Sequence, residues 1–152
     1  MVEMRDAGRI GAIGLSHVSA EQLRHALPAG IVCVQNAYSL VDRTSEPVLD
    51  LCREQGIAWM PYFPLGSGWP GTTSVTDLPG VVYVAAHLRV TPAQVGLAWL
   101  LAHAPGDAAE RSSTPRSETL LIPGTRSVAH LEENLAAGDV ELDAEAMAAL
   151  GA

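Results

Sequence analysis

A parallel α/β fold is what this sequence predicts, and three observations lead to it. Short apolar runs recur at residues 10–15, 31–36, 57–62 and 120–122. Behind each run comes a stretch that reads as helix, most with a recognisable start signal. Gly or Pro then closes the first units, so strand, helix and stop repeat in series. Strands that are apolar throughout, each followed by a helix, fit a parallel sheet whose outer face the helices cover.

The first run, Ile10-Gly11-Ala12-Ile13-Gly14-Leu15, ends at Ser16-His17. Ser19 opens the next helix with Gln22 three residues on, the spacing of a capping box. Leu23, Ala26 and Leu27 give this helix its buried face, and Pro28-Ala29-Gly30 stops it. The second strand, 31–36, leads to a helix from about Glu46 with Val48, Leu49, Leu51 and Cys52 on one side, stopped by Gly56. The third strand is 57–62. Residues 66–80, rich in Gly, Pro, Ser and Thr, read as a loop. Val81, Val84, Ala85 and Leu88 fall at i, i+3, i+4 and i+7, so a helix is preferred there over the strand that Val-Val-Tyr-Val suggests. Thr91-Pro92 is an N-cap followed by proline at the first helical position, starting a helix to about His103. Residues 105–117 are polar and read as a mobile surface excursion. The fourth strand, 120–122, passes through Pro123-Gly124 to a helix capped by Ser127.

Composition narrows the function classes. With 152 residues the chain is long enough for one domain with its own core. Hydrophobic residues make up 48% and charged ones 17%, which argues against disorder. Nine basic residues without a cluster, in a chain of net charge −8, argue against a nucleic-acid surface. No apolar run approaches the ~20 residues that span a bilayer. Glu3, Arg5, Asp6 and Arg9 interrupt any export signal, so a cytoplasmic protein is expected. Cys33 and Cys52 lie in apolar segments and read as free thiols rather than a disulfide. The five histidines show no metal-ligand spacing.

Ligand sites on parallel barrels form where the strands end. Here those ends are Ser16-His17, Gln35-Asn36, Tyr62-Phe63 and Gly124-Thr125-Arg126, each polar or aromatic just where the apolar run finishes. Pro123-Gly124-Thr125-Arg126-Ser127 is the most specific of them: glycine gives room, a helix start presents free N–H groups, and Arg126 offers a forked cation to a phosphate. The plain alternative is a loop with a helix cap and a solvated arginine. Tyr62 suits stacking on a flat ring or plugging the barrel mouth. Gln35 offers a donor and an acceptor to an amide ligand, or pairs with neighbouring backbone. His17 by itself reads more simply as a structural histidine. Trp59, Trp99 and Met60 read as core, and Glu132 as a solvated charge.

The blocks Ile13-Gly14-Leu15-Ser16, Val34-Gln35-Asn36-Ala37-Tyr38-Ser39-Leu40, Tyr62-Phe63-Pro64-Leu65-Gly66, Thr91-Pro92-Ala93-Gln94-Val95 with Leu97-Ala98-Trp99-Leu100, and Ile122-Pro123-Gly124-Thr125-Arg126-Ser127 with His130-Leu131-Glu132-Glu133-Asn134 resemble the aldo-keto reductases in order and spacing. Residues 105–117 then look like an insertion. The resemblance runs over practically the whole chain. It implies a (β/α)8 barrel binding NADP(H), of which residues 1–152 would form a half barrel, units five to eight, with residues 1–8 ending the fourth helix. It further implies that Ser16 and Gln35 hold the nicotinamide carboxamide and that Tyr62 stacks on the ring. Leu65, Gly66, Gly124 and Thr125 would line the pyrophosphate. Arg126, with His130, would meet the 2′-phosphate, and Glu133 and Asn134 the adenine end. His17 stands where the family commonly has Asn, so any carboxamide contact there comes from a different group.

The family's catalytic tyrosine, lysine, aspartate and histidine belong to units one to four. This chain contains no lysine at all, and Tyr38, Tyr62 and Tyr83 lack the catalytic tyrosine's context. General acid catalysis needs a donor within reach of the carbonyl oxygen, so no catalytic residue is assigned. Three readings stay open at this stage. The chain is the cofactor-binding half of a carbonyl reductase, a self-associating NADP-binding module, or a truncated or split-gene product. The four-strand sheet would leave its inner face and edges open, so a homodimer or a complementary first-half chain is the expected partner.

Overall fold

The computed structural model describes residues 1–66, 71–103 and 119–151. Strands β1 (Ile13–Ser16), β2 (Ile31–Gln35) and β3 (Ala58–Trp59) form a parallel sheet in that order. Leu15 lies opposite Val34, Ser16 opposite Gln35, and Val34 opposite Trp59. The ladder runs on past the strands through His17 N to Gln35 O at 2.8 Å and Tyr62 N to Asn36 O at 3.0 Å. That extension carries the strand-end residues out of the sheet in fixed register.

Two expectations about strands need correction. The third strand is two residues long rather than 57–62. The fourth is no regular strand: Thr119 bridges Trp59, and Leu120 N donates to Trp59 O at 2.9 Å. On that side of β3 the next donor along would be Pro61, which has no N–H to give. The side chains of this segment still alternate as a strand's do, with Leu121 packed on the core and Leu120 and Ile122 exposed.

The helices follow their start and stop signals. α1 (Val2–Asp6) precedes the sheet. α2 (Ala20–Ala26) carries the complete Ser19/Gln22 capping box, and only Leu23 of its predicted face is fully buried. Ala26 and Leu27 are half-buried, and a 3-10 turn (Leu27–Ala29) ends at Gly30. α3 (Glu46–Gln55) buries Val48, Leu49, Leu51 and Cys52 and stops at Gly56 in the left-handed conformation. A 3-10 turn (Val75–Asp77) leads into α4 (Pro79–Leu88), the helix preferred over a strand. α5 (Pro92–His103), α6 (Val128–Ala136) and α7 (Ala144–Ala149) complete the described elements. The predicted excursion at 105–117 lies outside the described residues, as do residues 67–70 of the 66–80 loop.

Two buried clusters hold these layers together. One joins the sheet to α2 and α3 through Ile13, Leu23, Val34, Leu49 and Trp59. The other packs α4 against α5 and α7 through Val81, Val84, Val95 and Ala146. α5 belongs to both, which is why its residues 95–100 are buried all round and it carries no polar face there. Trp59 and Trp99 are core, while Met60 is half-buried beside Gln35. Cys33 and Cys52 are free thiols, the first half-buried and the second buried. Among the described residues no helix is long and apolar enough to cross a membrane.

Candidate functional site

A cleft of about 520 Å³ opens beside the strand ends. Three chain segments converge on it: Tyr62-Phe63-Pro64-Leu65-Gly66, Ile122-Pro123-Gly124-Thr125, and His130 with Glu133 and Asn134 on α6. Ala93, in the first turn of α5, closes one wall. Of the residues singled out from the sequence, Tyr62, Leu65, Gly66, Gly124, Thr125, His130, Glu133 and Asn134 therefore line one cavity. Ser16, His17, Gln35 and Arg126 stand outside its lining.

The backbone at the strand ends is tightly bent. His17 (φ 54°) and Phe63 (φ 56°) both adopt the left-handed region, which costs a non-glycine residue energy and recurs at ligand sites. Asn36 is buried and secures the first bend: its side chain accepts from Val18 N at 3.0 Å and donates to Val18 O at 2.7 Å. His17 Nδ1 lies 3.1 Å from Tyr62 Oη, so the histidine reaches the cleft through the tyrosine it hydrogen-bonds. The Tyr62 and Phe63 rings meet edge to face at 5.1 Å. Gln35 directs its amide nitrogen at Met60 Sδ, 3.8 Å away.

The Leu65–Gly66 corner is pinned from behind. Leu65 O accepts from Val75 N at 3.1 Å, and Gly66 N donates to Phe63 O at 2.9 Å. Gly66 has φ 96°, and a Cβ there would stand 3.0 Å from Thr73 O, so both conformation and space call for glycine. Opposite, Ser127 N donates to Thr125 Oγ1 at 3.1 Å, and Ser127 Oγ accepts from His130 N at 3.4 Å, capping α6. Nothing lies within 4 Å of a Cβ built on Gly124, so the loop presents backbone to open space. Arg126 is exposed beside this start of α6.

Glu133 is not simply a cleft residue. Its Oε1 accepts a hydrogen bond from the Thr91 hydroxyl, and its backbone carbonyl accepts from Gln94 Nε2 at 3.2 Å. Asn36 and Phe63, named from the sequence as strand ends, and Ala93 and Pro123, named within its motifs, carry no individual role in that reading. The Asn following Gln35 at a strand end was the available signal for the first.

Comparison with known proteins bears on this arrangement. The profile of the aldo/keto reductase family matches residues 1–152. The chain is 41% identical over 152 residues to the pyridoxine 4-dehydrogenase of Escherichia coli (strain K12), covering 99% of this chain and 47% of that protein. The fold superposes on the thermostable aldo-keto reductase Tm1743 with a TM-score of 0.79 at 30% identity, covering 99% of this chain and 51% of the other. An aldo-keto reductase from Klebsiella pneumoniae, solved in complex with NADPH, gives a TM-score of 0.80 at 24% identity, over 99% of this chain and 50% of that one. The chain thus spans about half the length of the relatives it matches. Matched from end to end by the family profile, the chain belongs to the aldo/keto reductase family.

Proposed function

We propose that this chain is the NADP(H)-binding half of an NADPH-dependent aldehyde or ketone reductase, corresponding to units five to eight of the family barrel. The observation that carries the reading is the convergence of Tyr62, Leu65–Gly66, Gly124–Thr125 and the His130–Asn134 face on one cleft from segments distant in sequence. The residues present fit such a cofactor. Bare backbone at Gly124 and the start of α6 offers N–H donors to phosphate oxygens, and a positive Gly66 bend opposite it leaves the wall free of side chain. A nicotinamide cofactor, when bound, supplies the hydride that the carbonyl receives.

The chain's own residues do the holding. Tyr62 offers a ring face whose tilt is set by His17 and Phe63. Ser16, His17 and Gln35 would hold the carboxamide at the strand ends. Leu65, Gly66, Gly124 and Thr125 would line the pyrophosphate, Arg126 and His130 the 2′-phosphate, and Glu133 and Asn134 the adenine. No residue of this chain is assigned as the acid for the carbonyl oxygen, and there is no lysine to lower a tyrosine's pKa. Turnover then requires catalytic residues supplied from elsewhere. In a nicotinamide-absorbance assay the purified chain should show no NADPH oxidation with aldehydes or quinones, gaining it with a matching first half. Robust turnover by the chain alone would overturn this division of labour.

Cofactor choice is a second measurable consequence. A charge-assisted contact from Arg126 to the 2′-phosphate contributes ~1.5–3 kcal/mol. Arg126→Ala should therefore weaken NADP by roughly tenfold or more in a fluorescence titration while leaving NAD nearly unchanged. Equal affinity of the unaltered chain for both cofactors would remove the phosphate assignment.

A second reading is favoured by one observation: α6 buries no residue, and its apolar stripe Val128, Leu131 and Leu135 is 73%, 49% and 72% exposed. An apolar helix face of this kind needs a cover. The cover proposed is a second copy of this chain or a complementary first-half chain.

A further inference from the structure

The N-terminal cap of α5 does more than start a helix. Thr91 and Gln94 form a reciprocal box in which Gln94 N donates to Thr91 Oγ1 at 3.2 Å and Thr91 N donates to Gln94 Oε1 at 3.0 Å. Both side chains then have one hydrogen-bonding group left over, and both spend it on the same residue. The Thr91 hydroxyl proton goes to Glu133 Oε1, and Gln94 Nε2 donates to the Glu133 carbonyl at 3.2 Å. Glu133 lines the cleft; Thr91 and Gln94 do not. One side-chain bond and one backbone bond fix both the carboxylate and the turn of α6 that bears it. α6 has no buried apolar residue of its own to anchor that turn, so these polar bonds are what registers it against α5.

We infer that Thr91 and Gln94 are positioning residues for one end of the cleft, holding Glu133 so that its second carboxylate oxygen is presented to a hydrogen-bond donor on the ligand. This rests on the reading of the cleft given above, in which Glu133 serves the adenosine side of the cofactor. With Oε1 engaged by Thr91, the carboxylate keeps Oε2 to accept from the ligand, which suits an exocyclic amine. The nicotinamide side, formed at the strand ends, does not depend on this pair.

Two probes separate the sides: adenosine 2′,5′-bisphosphate for the α6 end and reduced nicotinamide mononucleotide for the strand ends. Thr91→Asp keeps a strong helix cap but has no proton to give Glu133 and repels it. Thr91→Ser keeps both cap and hydroxyl. Calorimetric titration should show Thr91→Asp weakening the adenosine bisphosphate by roughly tenfold with the mononucleotide unchanged, and Thr91→Ser leaving both as they were. A variant that loses both probes equally reports a structural effect and overturns the inference, as does one that loses neither. Failure of the unaltered chain to bind the adenosine bisphosphate overturns the reading of the cleft itself, and the inference falls with it.

Discussion

Glu46 shows how single residues tie the helices to the sheet. Its Oε2 accepts from the Tyr38 hydroxyl at 2.6 Å, and its Oε1 lies 2.8 Å from His103 Nε2, so the first turn of α3 meets the last turn of α5. Tyr38 also stacks on Trp99, and Arg43 sits over the same indole at 4.7 Å. Burial alone would raise the Glu46 pKa. The hydrogen bonds from Tyr38 and His103, with the nearby charges of His103 and Arg43, outweigh it and hold the carboxyl below its ordinary value of 4.5. A folded-state value depressed in this way stabilises the fold above the unfolded pKa, and the contribution is lost as pH falls through the folded value. Thermal melts of the chain should therefore lose stability as pH falls below about 4.5, and Glu46→Gln should flatten that slope while lowering stability at neutral pH. Identical acid slopes for both would remove Glu46 from the account. Burial first, and then the Glu46 hydrogen bond, push the Tyr38 phenol above its ordinary range, so Tyr38 remains a donor at every working pH. None of this pairing was legible beforehand: His103 lies 57 residues beyond Glu46, and only the tertiary structure brings the end of α5 to the start of α3.

At the scale of elements, α5 sets the position of the cleft's rear wall. A Cβ on Gly96 would stand 2.7 Å from Val75 Cγ1 and 2.8 Å from Leu65 Cδ2. Glycine here lets the Leu65–Gly66 corner lie directly on the helix. Gly96→Ala gains ~1 kcal/mol of helix propensity but overpacks at a cost of ~1–3 kcal/mol, so the contact term wins. The expected result is a net loss of about 1 kcal/mol in chemical denaturation, with Leu65 displaced and cofactor affinity reduced. A more stable variant would show that the corner yields freely. The helix signals themselves were readable, since Ser19/Gln22, Thr91/Pro92 and Ser127 stand where α2, α5 and α6 begin. The strand bounds were not. Pro61 limits the pairing of the fourth segment by withholding one N–H, an effect that depends on which neighbour that N–H would have faced.

For the whole molecule the open question of stability is surface. Besides the α6 stripe, Val32 on β2 and Leu120 and Ile122 on the fourth segment are exposed. Apolar surface of this extent drives association. Light scattering at micromolar concentration should find a dimer, or a complex when a first-half chain is present, and Leu135→Glu should weaken it. A stable monomer that binds no apolar dye would refute this.

The first three strands, the helices α2 to α6, the caps of α2, α5 and α6 and the family were determined by the sequence alone, because periodicity, capping residues and turn glycines act within a few positions of one another. The candidate cleft was legible as a set of residues but not as an arrangement. Only the tertiary structure brought Tyr62, Thr125 and Asn134 to one cavity, hydrogen-bonded His17 to Tyr62, and turned the α5 cap onto Glu133. Those relations depend on how the helices pack across the sheet, and packing joins residues that no local pattern connects.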